Sequence, residues 1–252
     1  NQAGHKFRKE TIITDNSVHD LTPSLVWKGT DYGVFWSYDK SQIYFTRVAE
    51  NGNKLAGDIP TVTTTAGYAI HVSAVWNGEE YGVVWWDARN APACSPSGTR
   101  GRAFFVRVDK DGQKIGDEIP VADAFSNTWQ DYKPLLAWDG TNYVVFWNDI
   151  REAEHCYESK QNIYMAKIDS SGQKVLKNSR NSNLYSVVWD GTNYALTYNV
   201  GTSMFAKMGT DGSTLTSDIP INTTGFSGSP KIAWDGVNYF VTWFDNRDRT
   251  AE

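Results

Sequence analysis

The chain has 252 residues, 14% of them aromatic, and a formal net charge of −5. That charge argues against a nucleic-acid surface, which needs clustered Lys and Arg to meet phosphates. No apolar run approaches the length of a membrane span, and no signal peptide is apparent, as expected of a chain that is either cytoplasmic or already trimmed.

Residues 4–13 align with the stretch that begins at Gly52, so the chain is expected to open on the outermost strand of a repeat. The first hairpin follows, from Trp27 through Gly29 and Tyr32 to Trp36. The same pattern recurs as Trp76, Gly78, Tyr81 and Trp85; Trp138, Gly140, Tyr143 and Trp147; Trp189, Gly191, Tyr194 and Tyr198; and Trp234, Gly236, Tyr239 and Trp243. In Trp138-Asp139-Gly140-Thr141-Asn142-Tyr143 the Asp-Gly pair signals a tight turn, because a primed turn needs positive φ. Aromatic and β-branched residues dominate the strand that follows.

A third short stretch comes after each of the first four hairpins, as in Ile43 to Val48 and Ile163 to Ile168. A Gly-containing turn and a fourth stretch follow, and three of these fourth stretches end in Ile-Pro, at 59–60, 119–120 and 219–220. Proline suits an outer edge, where a missing N–H costs no ladder bond. The repeated tryptophans are 49, 62, 51 and 45 residues apart, periods that mean a propeller, solenoid or array. Helical periodicity is nearly absent, and four antiparallel strands per repeat make the blade of a propeller.

The expected fold is therefore all-β: one domain over 1–252, a five-bladed β-propeller of four-stranded antiparallel blades. The blades fall near 21–62, 72–122, 134–178, 185–222 and 230–252, with 4–14 closing the last. Strand three of that last blade is not in the sequence. Either the blade is one strand short, or a piece is missing, or the propeller is longer. An unfilled position would hold strands two and four about two spacings of 4.8 Å apart. The five repeated tryptophans are expected to be equivalent and largely buried between blades.

Taken together, W-D-G-x-N-Y, W-x-D-x-R, Y-x-x-R-V and D-G-x-x resemble the propeller repeats of bacterial secreted and surface proteins. Five blades resemble tachylectin-type lectins and the arabinanase and invertase glycosidases. That resemblance implies a secreted, surface or periplasmic protein. The sialidase Asp-box and the kelch and WD signatures are absent.

Repetition sorts candidate functional residues. Asp87/Arg89, Asp149/Arg151 and Asp245/Arg247 recur after strand two, and the simpler reading is a salt bridge tying each loop to its blade. Arg89 and Arg151 could instead line a sugar pocket. Asp109-Lys110-Asp111-Gly112 begins like a calcium loop but lacks the later ligands, so a hairpin turn is preferred and no metal or cofactor is expected. The loops after strand two are long in blades two and three, and each carries one cysteine. A Cys94–Cys156 disulfide would close a 62-residue loop worth roughly 4 kcal/mol, and implies an oxidising compartment.

Residues outside the repeat gather in the same loops and in the segments leading into each inner strand. These loops are expected to form the functional face. Tyr68, His71, Trp129, Asp131 and His155 are candidates for ligand binding, by stacking and hydrogen bonds. The preferred function is an extracellular module holding glycan or another surface ligand, with Trp129 and Asp131 contacting a neutral or cationic polyhydroxylated molecule. The alternative is a glycosidase, for which Asp20, Asp131, Glu152 and Glu154 could supply the two carboxylates. A protein–protein scaffold is the third reading.

Overall fold

In the computed structural model the described residues are 10–14, 20–63, 69–89, 93–94, 98–99, 101–123, 133–149, 162–172, 174–181, 183–222 and 227–246. All regular structure among them is β. The first sheet holds β1 (Asp20–Trp27), β2 (Asp31–Tyr38), β3 (Gln42–Ala49) and β4 (Ile59–Thr63), in that order. The second holds β5 (Ala69–Trp76), β6 (Tyr81–Asp87), β9 (Arg102–Val108) and β10 (Lys114–Pro120). Between β6 and β9 lies a two-residue ladder, β7 (Ala93–Cys94) with β8 (Gly98–Thr99).

The third sheet runs β11 (Leu135–Trp138), β12 (Asn142–Asp149), β13 (Asn162–Asp169) and β14 (Lys174–Asn181). The fourth runs β15 (Asn183–Trp189), β16 (Tyr194–Asn199), β17 (Ser203–Met208) and β18 (Ile219–Pro220). The fifth hairpin, β19 (Ser227–Trp234) with β20 (Tyr239–Asp245), forms a sheet of two strands among the described residues.

Every hairpin closes as its sequence requires. In the third, Asp139 N donates to Asn142 O at 3.1 Å, and the Asp139 carboxylate accepts from the Thr141 and Asn142 amides. Gly140 has φ of 90°, the positive value that the glycine of this turn makes available. The Asp109 turn is likewise a hairpin, its carboxylate accepting from the amides of Asp111 and Gln113.

The core lies between sheets. Phe35, Ile43 and Phe45 of the first sheet meet Tyr81, Val83 and Trp85 of the second. Val84 and Phe105 meet Tyr143, Val145 and Trp147, and Phe146 and Met165 meet Tyr194, Leu196 and Tyr198. Strand two of each of the first four sheets is thus buried on both faces and reads as a continuous apolar run, whereas β20 of the fifth alternates half-buried and exposed residues. Gly82 makes one such approach possible, since a Cβ there would lie 2.5 Å from the Tyr143 ring.

The first strands of successive sheets are neighbours: β1 with β5, β5 with β11, β11 with β15 and β15 with β19. An inner edge strand leaves amides without ladder partners. Serines of the preceding sheet supply acceptors: Ser24 Oγ for Ala74 N at 3.0 Å, Ser73 Oγ for Leu136 N at 3.2 Å, and Ser186 Oγ for Ile232 N at 3.3 Å. Pro60, Pro120 and Pro220 all sit on the outermost strands.

The repeated tryptophans are equivalent but not largely buried. Each rests on the tyrosine of its own hairpin, with ring centroids 4.5–4.9 Å apart in all five, including Trp189 on Tyr194 and Trp234 on Tyr239. Trp27 is 45% exposed, and the other four are half-buried. The tyrosine, not the tryptophan, enters the layer between sheets.

Candidate functional site

The loop end of the inner strands is irregular in a repeated way. Each of β1, β5, β15 and β19 carries a register shift near its start, between Leu21 and Ser24, Ile70 and Ser73, Leu184 and Ser186, and Gly228 and Lys231. Three of these bulges hold a non-glycine residue in the left-handed region: Thr22 at φ 48°, His71 at 61° and Ser229 at 50°. A β-branched residue such as Thr22 is strongly disfavoured there. Bulges re-aim side chains, and such strain collects at functional sites. The His71 amide is tied to the neighbouring bulge by donating to Thr22 Oγ1 at 3.1 Å.

A cleft of about 530 Å³ opens at this end between the third, fourth and fifth sheets. Its described walls are Lys133, Leu135 and Asn148 from the third, Asn183, Leu184 and Tyr185 from the fourth, and Ser229 and Lys231 from the fifth. The volume is in the range of small-molecule sites. Asn148 is buried and locks two sheets together, its Oδ1 accepting from Leu184 N at 3.0 Å and its Nδ2 donating to Leu184 O at 3.4 Å. Lys231 Nζ donates to Tyr185 O at 2.8 Å. Burial of that ammonium, with Lys133 nearby, pushes its pKa below the usual lysine value. Asn183 Oδ1 is enclosed and has no hydrogen-bond partner.

Of the residues singled out from sequence, Asp20 is the first of β1, opposite Tyr38, and its Oδ1 is enclosed without a hydrogen-bond partner. His71 sits on the bulge of β5. Arg89 is committed within its own sheet: it donates through Nε and an NH group to Asp87 Oδ2, at 2.9 and 2.6 Å, and through the other to Glu118 at 2.5 Å. Its guanidinium lies 4.5 Å from the centre of the Phe104 ring. Asp87 is fully buried and also accepts the Trp85 indole N–H at 2.8 Å. Asp149 and Asp245 accept from Trp147 and Trp243 in the same way, at 3.2 and 3.1 Å. The acidic half of Asp-x-Arg is thus the indole acceptor of its own strand.

Tyr68, Trp129, Asp131, Arg151, Glu152, Glu154, His155, Arg247 and Cys156 lie outside the described residues, and of Cys94 only the backbone in β7 is described. Among the described residues, no cluster of His, Cys, Asp and Glu could hold a metal ion, and no helix is long and apolar enough to cross a membrane.

Sequence reasoning missed Lys133, Asn148, Asn183 and Lys231. Asn148 carried one usable signal. It occupies the middle of Trp-x-Asp, where the other sheets with that motif have Trp86 and Phe244. Lys133 and Lys231 flank Pro134 and Pro230, which like Pro23 stand four residues before the repeated tryptophan, but the lysines themselves fall at unlike positions of the repeat and recur at neither.

The sequence matches no family model and no curated protein. Solved structures do share the fold. The GH43_1 enzyme from Xanthomonas citri aligns with a TM-score of 0.53 at 12% identity, over 91% of this chain and 83% of that one. The alpha-L-arabinofuranosidase from Lactobacillus brevis aligns at 0.52 and 11% identity, over 93% and 86%. The xylan beta-1,4-xylosidase from Bacillus halodurans C-125 aligns at 0.51 and 12% identity, over 89% of this chain, which spans 48% of that enzyme. Radially packed four-stranded antiparallel sheets, with first strands as neighbours, make this chain an all-β protein of the β-propeller type.

Proposed function

We propose that the chain is a carbohydrate-active propeller of five blades, and that it cleaves glycosidic bonds rather than only holding sugar. The observation that carries the reading is Asp20. A carboxylate oxygen enclosed at the loop end of an inner strand has no hydrogen bond to consume its acceptor capacity, which a water or sugar hydroxyl admitted by local movement would take up. Similarity of fold to an arabinofuranosidase and a xylosidase supports hydrolysis over the lectin-like reading. A second carboxylate is required, about 5–5.5 Å away for retention or 6.5–9.5 Å for inversion. Asp131, Glu152 and Glu154 are its candidates, and Trp129, Tyr68 and His155 remain candidates for sugar contact.

Closure of the ring is supported from the N-terminal side. Lys174 Nζ donates to Val121 O, at the end of the second sheet's outer strand. Lys54, at the same place after its turn glycine, donates to Ile13 O at 2.8 Å. That shared contact supports reading Ile13 as the end of the outer strand of a preceding blade. We carry a secreted location and the Cys94–Cys156 bridge as part of this proposal. Denatured, unreduced protein should show no reactive thiol.

The test is release of sugar from aryl arabinofuranosides and xylosides and from arabinan and xylan, compared with Asp20→Asn. The expected result is turnover by the parent, with kcat lower by about 10²–10⁴-fold in the variant while saccharide binding persists. Binding without turnover by the parent would leave the lectin-like reading standing. Turnover unchanged in Asp20→Asn would remove Asp20 from the chemistry.

A further inference from the structure

The described walls of the cleft between the third, fourth and fifth sheets carry a charge opposite to that of the whole chain. The chain has a net charge of −5, yet the described walls of the cleft hold two lysines, Lys133 and Lys231, and no carboxylate. A local field of one sign inside a concave site outweighs the average over a distant surface. Lys231 spends one of its three N–H donors on Tyr185 O, and an ammonium has two more to offer. Burial beside a second cation disfavours its charge, and an anion placed between the two would reverse that.

The second observation is the unpartnered Asn183 Oδ1. A desolvated acceptor with no donor is costly, and a hydroxyl entering the cleft would satisfy it. Leu135, Leu184 and the Tyr185 side of the wall offer an apolar surface alongside. Cations, one waiting acceptor and an apolar wall match a ring that has a carboxylate, hydroxyls and a C–H face.

We propose that this cleft binds an acidic saccharide, with a uronic acid carboxylate between Lys133 and Lys231 and a ring hydroxyl donating to Asn183. This rests on the carbohydrate reading above and replaces the expectation of a neutral or cationic ligand.

The experiment is calorimetric titration of the full chain with trigalacturonate, xylotriose, glucuronic acid and inorganic phosphate. Trigalacturonate should bind at least tenfold tighter than xylotriose. Lys231→Met and Lys133→Met should each weaken trigalacturonate about tenfold and leave any xylotriose binding unchanged. Asn183→Leu should weaken glucuronic acid without affecting phosphate, and melting temperatures control for folding. Equal affinity for trigalacturonate and xylotriose would overturn the acidic preference while leaving the carbohydrate reading intact. Phosphate binding as tightly as glucuronic acid would overturn the saccharide, leaving an anion site. No binding of either trisaccharide would overturn both readings.

Discussion

Tyr194 donates its phenolic hydroxyl to Asp139 Oδ2 at 2.8 Å, joining β16 to the hairpin turn of the preceding sheet. The contact recurs as Tyr143 to Glu80 at 3.2 Å and Tyr239 to Asp190. Each acceptor also holds a cation from the third strand of its own sheet: Lys167 on Asp139 at 3.0 Å, Arg107 on Glu80 at 3.4 Å and Lys207 on Asp190 at 2.8 Å. The first junction departs from the pattern. Lys28 and Arg47 occupy Asp31, and the Tyr81 hydroxyl is buried with no hydrogen-bond partner.

That contrast gives a paired prediction. Tyr194→Phe removes a bond to a charged acceptor and should cost about 1.5–3 kcal/mol. Tyr81→Phe removes a hydroxyl that bonds nothing and should be neutral or slightly stabilising. Urea denaturation of both variants checks it, and equal losses would refute the assignment of the Tyr194 bond as the source.

The turn carboxylates set an acid limit on stability. Burial alone would raise the Asp139 pKa, but the amides of Asn142 and Thr141, with Lys167 and Tyr194, outweigh it and hold the carboxyl below its ordinary 3.8. Asp190 is held lower still, its burial outweighed by Lys207, Tyr239 and two backbone amides. Both folded pKa values are depressed. The stability they contribute is therefore present above the unfolded value and lost as pH falls through the folded one. Melting temperature should be steady above about pH 5 and drop below about pH 4. Asp139→Asn should lower the plateau and flatten the drop.

Trp138 is half-buried, with its ring 4.8 Å from that of Tyr143. Trp138→Ala should therefore cost about 2–3 kcal/mol, below the 3–5 typical of a core aromatic. The equivalent change at Trp27, 45% exposed, should cost about 1 kcal/mol. Chemical denaturation of both variants should return that order; a larger loss at Trp27 would refute the burial argument.

The hairpins and the strand order were legible because each repeats, and the tie of Arg89 to Asp87 because its motif occurs three times. Asp139 and its counterparts could be read as turn residues, but not as acceptors for a tyrosine some fifty residues later, because that contact crosses between sheets. Thr22, His71 and Ser229 gave no sign of positive φ, which local chemistry assigns to glycine or asparagine. Lys133 and Lys231 stand at unlike positions of the repeat, five and three residues before their tryptophans, and only the curvature of the fold brings them together. Trp36 shows a departure that sequence does explain. Tyr38 stands where Trp-x-Asp requires the acid, and the Trp36 indole N–H is left without a hydrogen-bond partner.

The last prediction concerns how the first sheet is covered. Val34, Trp36 and Val48 form a buried layer on the face of that sheet turned away from the second, and Ile13 packs against it. Val121 plays the same part against Tyr143, Val145 and Trp147. If Ile13 serves as the end of an outer strand, Ile13→Ala and Val34→Ala should be coupled by about 0.5 kcal/mol or more, as contacting residues are. Ile13→Ala and Val145→Ala, in separate layers, should add within about 0.3–0.5 kcal/mol. Lys54→Met should cost about 1 kcal/mol by releasing Ile13 O, and this loss should shrink in the Ile13→Ala background. Guanidinium unfolding of the single and double variants measures all three. Additivity between Ile13 and Val34 would mean that the N-terminal segment does not cover this face, and closure of the ring through residues 4–14 would fail with it.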